Sequence, residues 1–156
     1  MTVSRPAPRR ITVGVDGSIE AHAALLWTVD HAQPGDTVHV VHAWQPSLVA
    51  GLDDGDDAAA RGLIGREVAR ARCLIGERAI TVTGEVVRGS AGDVLAEVDS
   101  DLVVVGVRDR HMLVDALPGS VCRQLLRRSA VPVVVVPDRH RLARRRTATD
   151  RVGGPT

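Results

Sequence analysis

The residues of this chain best suited to chemistry lie in two places, Asp16-Gly17-Ser18 and the stretch from Gly106 to Ser120. The first follows the apolar run Ile11 to Val15 directly, so a carboxylate and a hydroxyl sit where an extended segment turns into a helix. The second begins at a glycine that ends the run Leu102 to Val105 and closes on Pro118-Gly119-Ser120. A glycine at position 106 permits close backbone approach, and a helix opening at Gly119-Ser120 offers free amides and the positive end of its dipole to an anion. Gly-Ser also opens ordinary helices, so the pair gains meaning only alongside Gly106 and Asp16.

Several other chemistries are excluded by residue type or spacing. All twenty basic residues are Arg. Without a lysine there is no P-loop cation, no Schiff base and no lysine general base. Ser18, Ser90 and Ser120 each stand where a helix begins, with no G-x-S-x-G elbow for a nucleophile. The six histidines, His22, His31, His39, His42, His111 and His140, show no paired spacing with a carboxylate on one helix, so a metal site is not expected. Asp53, Asp54, Asp56 and Asp57 do not match the ligand spacing of an EF-hand and read as a solvated loop and helix start. Cys73 and Cys122 are expected to be buried free thiols, having no metal-ligand spacing and being too few to staple a domain of this size.

The elements that must position these residues are legible from periodicity. At 156 residues the chain suits one domain, and with neither Phe nor Tyr and only Trp27 and Trp44 its core must be aliphatic. Ile11 to Val15 predicts a strand, and Ala21, Ala24, Leu25, Thr28, Val29 and Ala32 trace one face of a following helix. Thr37 to Ala43 predicts a second strand, whose Val/His alternation suggests a less fully covered face. A loop over 44–56 leads to a helix over 57–78 with Ile64, Val68, Ala71 and Ile75 on one face. Then come a strand over 80–87, a helix over 91–98 capped by Ser90, and a strand over 102–105. An eleven-residue connection, a helix from Pro118-Gly119-Ser120 to about Arg128 and a strand over 131–136 complete the pattern. Alternating strands and helices give an α/β domain with a mostly parallel sheet. Ligands of such sheets bind beyond the carboxyl ends of the strands where the winding reverses, which with the first strand central means the turns at Asp16 and Gly106.

ITVGVDGS followed by an Ala-rich helix, a second strand ending in VVHAW, RGSAGDVL, DLVVVG and PGSVCRQLLRRSAVPVVVVP occur in this order. Together they resemble the universal stress protein family over residues 11 to 137. The resemblance implies a three-layer, open, five-stranded parallel sheet of order 3-2-1-4-5, a Rossmann-like fold of the adenine nucleotide alpha hydrolase-like type, with two helices on each face. It also implies a site for ATP or a related adenine nucleotide, formed by Gly14, Val15, Asp16, Ala43, Val105, Gly106, Arg108, Asp109, Gly119, Ser120 and Val121. In that set Asp16 meets the nucleoside and Gly14, Val15 and Ala43 line the base pocket, while Asp16 also has a competing role as the cap of the first helix.

ATP-binding members of the family carry G-x2-G-x9-G-[ST] after the fourth strand. Here Gly106, Gly119 and Ser120 keep the spacing, but Asp109 replaces the second glycine. A like charge about 4 Å from a phosphate costs on the order of 4 kcal/mol at an effective dielectric of about 20. Arg108 and Arg110 flank Asp109 and pair with it or with phosphates; alternatively Asp109 shares a Mg²⁺ with a triphosphate, or all three form a solvated charged loop. The leading expectation is a nucleotide-responsive regulatory protein of the stress response. The alternative is a dimeric interaction module that does not bind ATP because of Asp109, and a slow ATPase or autokinase comes last because no residue set supplies a catalytic base.

Three segments are expected: an N-terminal extension over 1–9, the domain over 10–138 and a basic tail over 139–156. Fourteen Arg face eighteen acids before residue 139, giving −4, whereas six Arg against Asp150 give the tail +5. The tail lacks aromatics for base stacking and is expected to serve as a solubilising extension rather than a nucleic-acid contact. No apolar run approaches the roughly 20 residues of a membrane span, and Met1 to Arg10 lacks a signal peptide's apolar segment, so no membrane contact and a cytoplasmic location are expected. Pro132 to Val136 forms an apolar edge that needs a partner, and the resemblance implies a homodimer through it, besides an unidentified regulatory partner.

Overall fold

Apolar strands too short to fold back on themselves, each separated by a helix, leave the chain little choice but a parallel sheet with helices on its faces. The computed structural model describes residues 7–45, 53–108 and 120–138. It contains β1 (Arg10–Gly14), α1 (Ile19–His31), β2 (Thr37–Trp44), α2 (Asp53–Ile75), β3 (Thr81–Arg88), α3 (Ala91–Glu97), β4 (Leu102–Val107), α4 (Ser120–Arg128) and β5 (Val133–Pro137). The five strands form one parallel sheet of order β3-β2-β1-β4-β5, as expected. β1 is therefore central, with Val13 opposite Val40 of β2 on one side and Val104 of β4 on the other.

Side chains alternate across this sheet and divide the core in two. Val13, Val38, Val40, Val104 and Val136 pack on one face beneath α1 and α2. Val41, Val103 and Val105 pack on the other with Leu95 of α3 and Cys122 and Leu125 of α4. The face of α1 read from spacing is the buried one: Ala24, Leu25 and Thr28 are fully enclosed, and Ala21, Val29 and Ala32 nearly so. Enclosing one side chain such as Leu25 contributes about 1.5–3 kcal/mol. Thr28 stays apolar in effect because its hydroxyl donates to the Ala24 carbonyl at 2.8 Å.

Three expectations require correction. The N-cap of α1 is Ser18 rather than Asp16: the Ser18 hydroxyl accepts from the Ala21 amide at 3.1 Å, while Asp16 Oδ1 accepts from the Ser18 amide at 2.9 Å. Asp16 thus shapes the turn that delivers the cap, with Gly17 at φ 82° between them. Cys73 is exposed while Cys122 is buried. Burial, the only cause, pushes the Cys122 thiol above its ordinary pKa.

The third correction concerns β2. His39 is 2% exposed, so its face is covered. The cover comes from side chains of neighbouring strands: Arg10 of β1 donates to His39 Nδ1 at 3.0 Å, and Glu85 of β3 lies 3.2 Å from Nε2. With Nδ1 accepting, the ring proton sits on Nε2 and points at the carboxylate, so a neutral imidazole is bonded on both sides. Burial first, then the Arg10 charge, holds His39 below its ordinary pKa against the opposing pull of Glu85.

Element ends shift by a few residues. α2 begins at Asp53, inside the expected loop, and stops at Ile75 because Gly76 takes φ 60°. β4 runs on to Val107, and β5 occupies Val133–Pro137. Ser90 caps α3 as expected, accepting from the Asp93 amide and donating to Asp93 Oδ2 at 2.6 Å.

Candidate functional site

The cleft is built by two turns at the carboxyl ends of neighbouring strands. After β1 the chain passes through Val15 and Asp16 into α1, and the Val15 amide continues the sheet by donating to the Val41 carbonyl at 2.9 Å. His42, at the end of β2, fixes the same residue from the other direction: its Nδ1 lies 2.8 Å from the Val15 carbonyl and donates to it. The Asx turn at Asp16 and the Ser18 cap then set the direction of α1.

The second turn follows β4, and its geometry depends on Gly106. The backbone of α1 crosses so close that a Cβ at position 106 would lie 1.9 Å from the Glu20 carbonyl oxygen and 2.8 Å from the Ala21 nitrogen. The close approach that Gly106 permits is therefore, among the described residues, an approach by the first turn of α1. Only a residue without a side chain lets the two walls of the cleft meet this closely.

Asp16 and Gly106 line one cavity of about 120 Å³. From the β1 side it is bordered by Gly14, Val15, Asp16 and Ser18, and from β2 by Val41 and Ala43. Val105 and Gly106 border it from β4, with Ala21 of α1 and Val121 of α4 beside them. Its floor is closed by α3, whose Leu95 packs over Gly14 and lines the cavity together with Ala91. Seven of the residues expected at a site thus lie together: Gly14, Val15, Asp16, Ala43, Val105, Gly106 and Val121. Ser18, Ala21, Val41, Ala91 and Leu95 also line the space and were not among the expected site residues, Ser18 having been read as part of the turn and cap. Ser18 had the strongest signal, a hydroxyl two residues after the expected aspartate.

Arg108 does not border the cavity among the described residues. Its Nε donates to Glu20 Oε1 at 3.2 Å, tying the residue beyond β4 to the first turn of α1. Asp109 and Gly119 lie outside the described residues, as do Arg110, His111 and the side chain of Ser120, so the second half of the glycine motif has no structural description. The tail over 139–156 and Pro46 to Leu52 lie outside them as well.

The chemistry of the space follows from its lining. The walls are mostly aliphatic and suit a flat, weakly polar group, while the exposed Asp16 carboxylate at the rim suits hydroxyl donors. One oxygen of Asp16 holds the turn, and nothing among the described residues bonds the other. No group of three or more His, Cys, Asp or Glu that would hold a metal ion occurs among the described residues. A larger groove of about 230 Å³ runs along the outer side of α1, between Ile19, His22, Leu26 and Trp27 and the β5 residue Val136. It reaches the carboxyl end of β5 at Val136 and Asp138 but shares no lining residue with the Asp16–Gly106 cavity.

No helix among the described residues is long and apolar enough to cross a membrane. A sequence profile of the universal stress protein family matches residues 8–137. A universal stress protein of Mycobacterium tuberculosis is 32% identical over 149 residues, covering 86% of this chain and 50% of its own length. The chain therefore spans about half the length of the curated relatives it matches. Among solved structures, a universal stress protein family member from Arabidopsis thaliana with AMP bound superposes with a TM-score of 0.64 at 17% identity, over 83% of this chain and 92% of that one. The universal stress protein of Archaeoglobus fulgidus in complex with dAMP gives a TM-score of 0.63 at 23% identity, over 84% and 98%. The fold is thus shared at low identity, and the profile match spans nearly the whole described chain: the protein belongs to the universal stress protein family.

Proposed function

We propose that the cleft between the β1–α1 turn and the end of β4 binds an adenine nucleotide, and that the chain acts as a nucleotide-responsive regulatory protein of the stress response. The observation that carries this reading is the convergence of Asp16 and Gly106 on one cavity at the point where the winding of the sheet reverses. The base enters between Val15, Ala43 and Val105, the ribose hydroxyls face Asp16, and the phosphates lie towards Gly106 and the start of α4. AMP and dAMP in the Arabidopsis and Archaeoglobus structures of the same fold support an adenine ligand. ATP binding requires Asp109 to be offset, either by the flanking Arg108 and Arg110 or by a Mg²⁺ shared with the triphosphate. Signal output runs through a homodimer paired along β5, an edge strand of five residues flanked by the apolar α1 groove.

Calorimetric titration of the full chain with AMP, and with ATP in the presence and absence of Mg²⁺, tests this reading. Binding of AMP that is lost in Ala43→Phe, which fills the space, supports it. If neither nucleotide binds and Asp109→Gly restores binding, the chain is instead an interaction module with a closed phosphate site. That second reading is favoured by one specific feature, the engagement of Arg108 by Glu20 of α1.

A further inference from the structure

Glu20 stands in the first turn of α1, where a carboxylate normally serves the helix dipole in contact with water. This one does not, since its side chain is only 15% exposed while its partner Arg108 is 74% exposed. Among the described residues Arg108 is the one cation within reach of it. The backbone of Glu20 is also the part of α1 that rests on Gly106. Glu20 therefore sits at the hinge between the two walls of the cleft, and its carboxylate holds Arg108, the residue that directly follows β4.

Among the described residues acidic groups outnumber basic ones beside the cavity, because Asp16 lines it, Glu20 adjoins the lining residue Ala21, and Arg108 follows Gly106 by two residues. A phosphate arriving there meets a guanidinium already occupied by a carboxylate. A dianionic phosphate is the stronger partner, since it offers more charge and a bidentate match to the guanidinium fork. An ion pair with one exposed member is weak enough to be exchanged.

Resting on the nucleotide reading above, we propose that Glu20 is a specificity-determining residue of the cleft: it holds the Arg108 guanidinium beside the first turn of α1 and yields it to the phosphate of an incoming nucleotide. The exchange leaves the Glu20 carboxylate next to the ligand's negative charge. Phosphorylated ligands are thereby penalised relative to the free nucleoside, and the penalty grows with phosphate charge. The same exchange unties the first turn of α1 from the residue beyond β4, giving the bound state a different α1 N-terminus from the free state.

The test is a set of calorimetric titrations of the full chain and its Glu20→Gln and Arg108→Ala variants with adenosine and with AMP. Glutamine keeps the hydrogen-bond acceptor and removes the charge. Glu20→Gln is expected to tighten AMP by about three- to ten-fold while leaving adenosine within about two-fold, a range equivalent to roughly 0.7–1.4 kcal/mol. Arg108→Ala is expected to weaken AMP by about ten-fold, again sparing adenosine. In the Arg108→Ala background the gain from Glu20→Gln is expected to shrink, because there is no longer a guanidinium to release. An AMP-to-adenosine affinity ratio unchanged by Glu20→Gln overturns the proposal while leaving the cleft intact. Equal changes for both ligands overturn it too, by showing that Glu20 only supports α1. If the wild type binds neither adenosine nor AMP, the nucleotide reading itself falls and takes this inference with it.

Discussion

Replacing Gly106 by alanine tests the closest contact in the cleft. The added methyl would lie 1.9 Å from the Glu20 carbonyl oxygen and 2.2 Å from its carbon. Ordinary contact begins near 3.4 Å, so the first turn of α1 has to withdraw by about 1.5 Å, and no side-chain rotamer relieves backbone against backbone. Overpacking of this kind costs about 1–3 kcal/mol, and a rigid helix turn places it at the upper end. For a domain of this length about 3 kcal/mol corresponds to a fall in Tm of roughly 6–12 °C. The same withdrawal moves Ser18 and Ala21 away from Val105, so AMP affinity is expected to fall with stability. Thermal unfolding and calorimetric titration of Gly106→Ala read the two effects separately. Gly65→Ala is the control, because its position inside α2 has nothing within 4 Å and alanine there is expected to stabilise by about 0.5–1 kcal/mol. A Gly106→Ala variant that melts within 1–2 °C of the wild type and binds AMP unchanged would refute the packing argument.

Other expectations follow from the same contacts. Ser18→Ala removes the acceptor for the Ala21 amide and is expected to lower stability by about 1 kcal/mol, measured by urea unfolding, with Ser18→Asp restoring most of it. Because His39 has a lowered pKa when folded, the unfolded chain takes up its proton first. The stabilisation is therefore complete above about pH 6.5 and is lost as pH falls below it, with a slope of at most about 1.4 kcal/mol per pH unit. Urea unfolding between pH 7 and pH 5 is expected to show this loss and His39→Gln to flatten it. Asp36 acts lower on the scale: burial would raise its carboxyl, but hydrogen bonds from the Arg9 side chain and the Gln33 and Arg9 amides, with the Arg9 charge, hold it below the ordinary value. Its contribution is full above the unfolded value near 3.9 and is lost as pH falls through the lower folded one, which Asp36→Asn is expected to abolish below pH 4. Under native conditions a thiol reagent is expected to label Cys73 quickly and Cys122 only on unfolding, and fast labelling of both would contradict the packing of α4.

Much of the fold is local in origin and could be read in advance. The apolar spacing of α1 from Ala21 to Ala32 names its buried face because a single helix face packs against a single sheet. The strand order follows from the chain alternation together with the family resemblance. Convergence of Asp16 and Gly106 follows from topology, since β1 and β4 are adjacent and both turns lie at their carboxyl ends. What escaped depends on contacts between elements distant in sequence. Nothing in the α3 segment shows that Leu95 closes the floor of the cavity over Gly14, or that His42 donates to Val15. Cys73 is different, because its exposure was legible: it lies about 200° round the helix from Ala71 and Ile75, and residue type was given more weight than helical phase. His39 reversed the expectation for β2 because long polar side chains of the neighbouring strands, Arg10 and Glu85, cover it.

Amide chemical-shift mapping of the full chain during titration with AMP tests the location of the site most directly. The account predicts shifts concentrated at Val15, Asp16, Ala43, Val105 and Gly106, saturating with one ligand per chain. Shifts centred instead on Ile19, His22, Leu26 and Trp27 along the outer groove of α1, or no shifts at all, would contradict it.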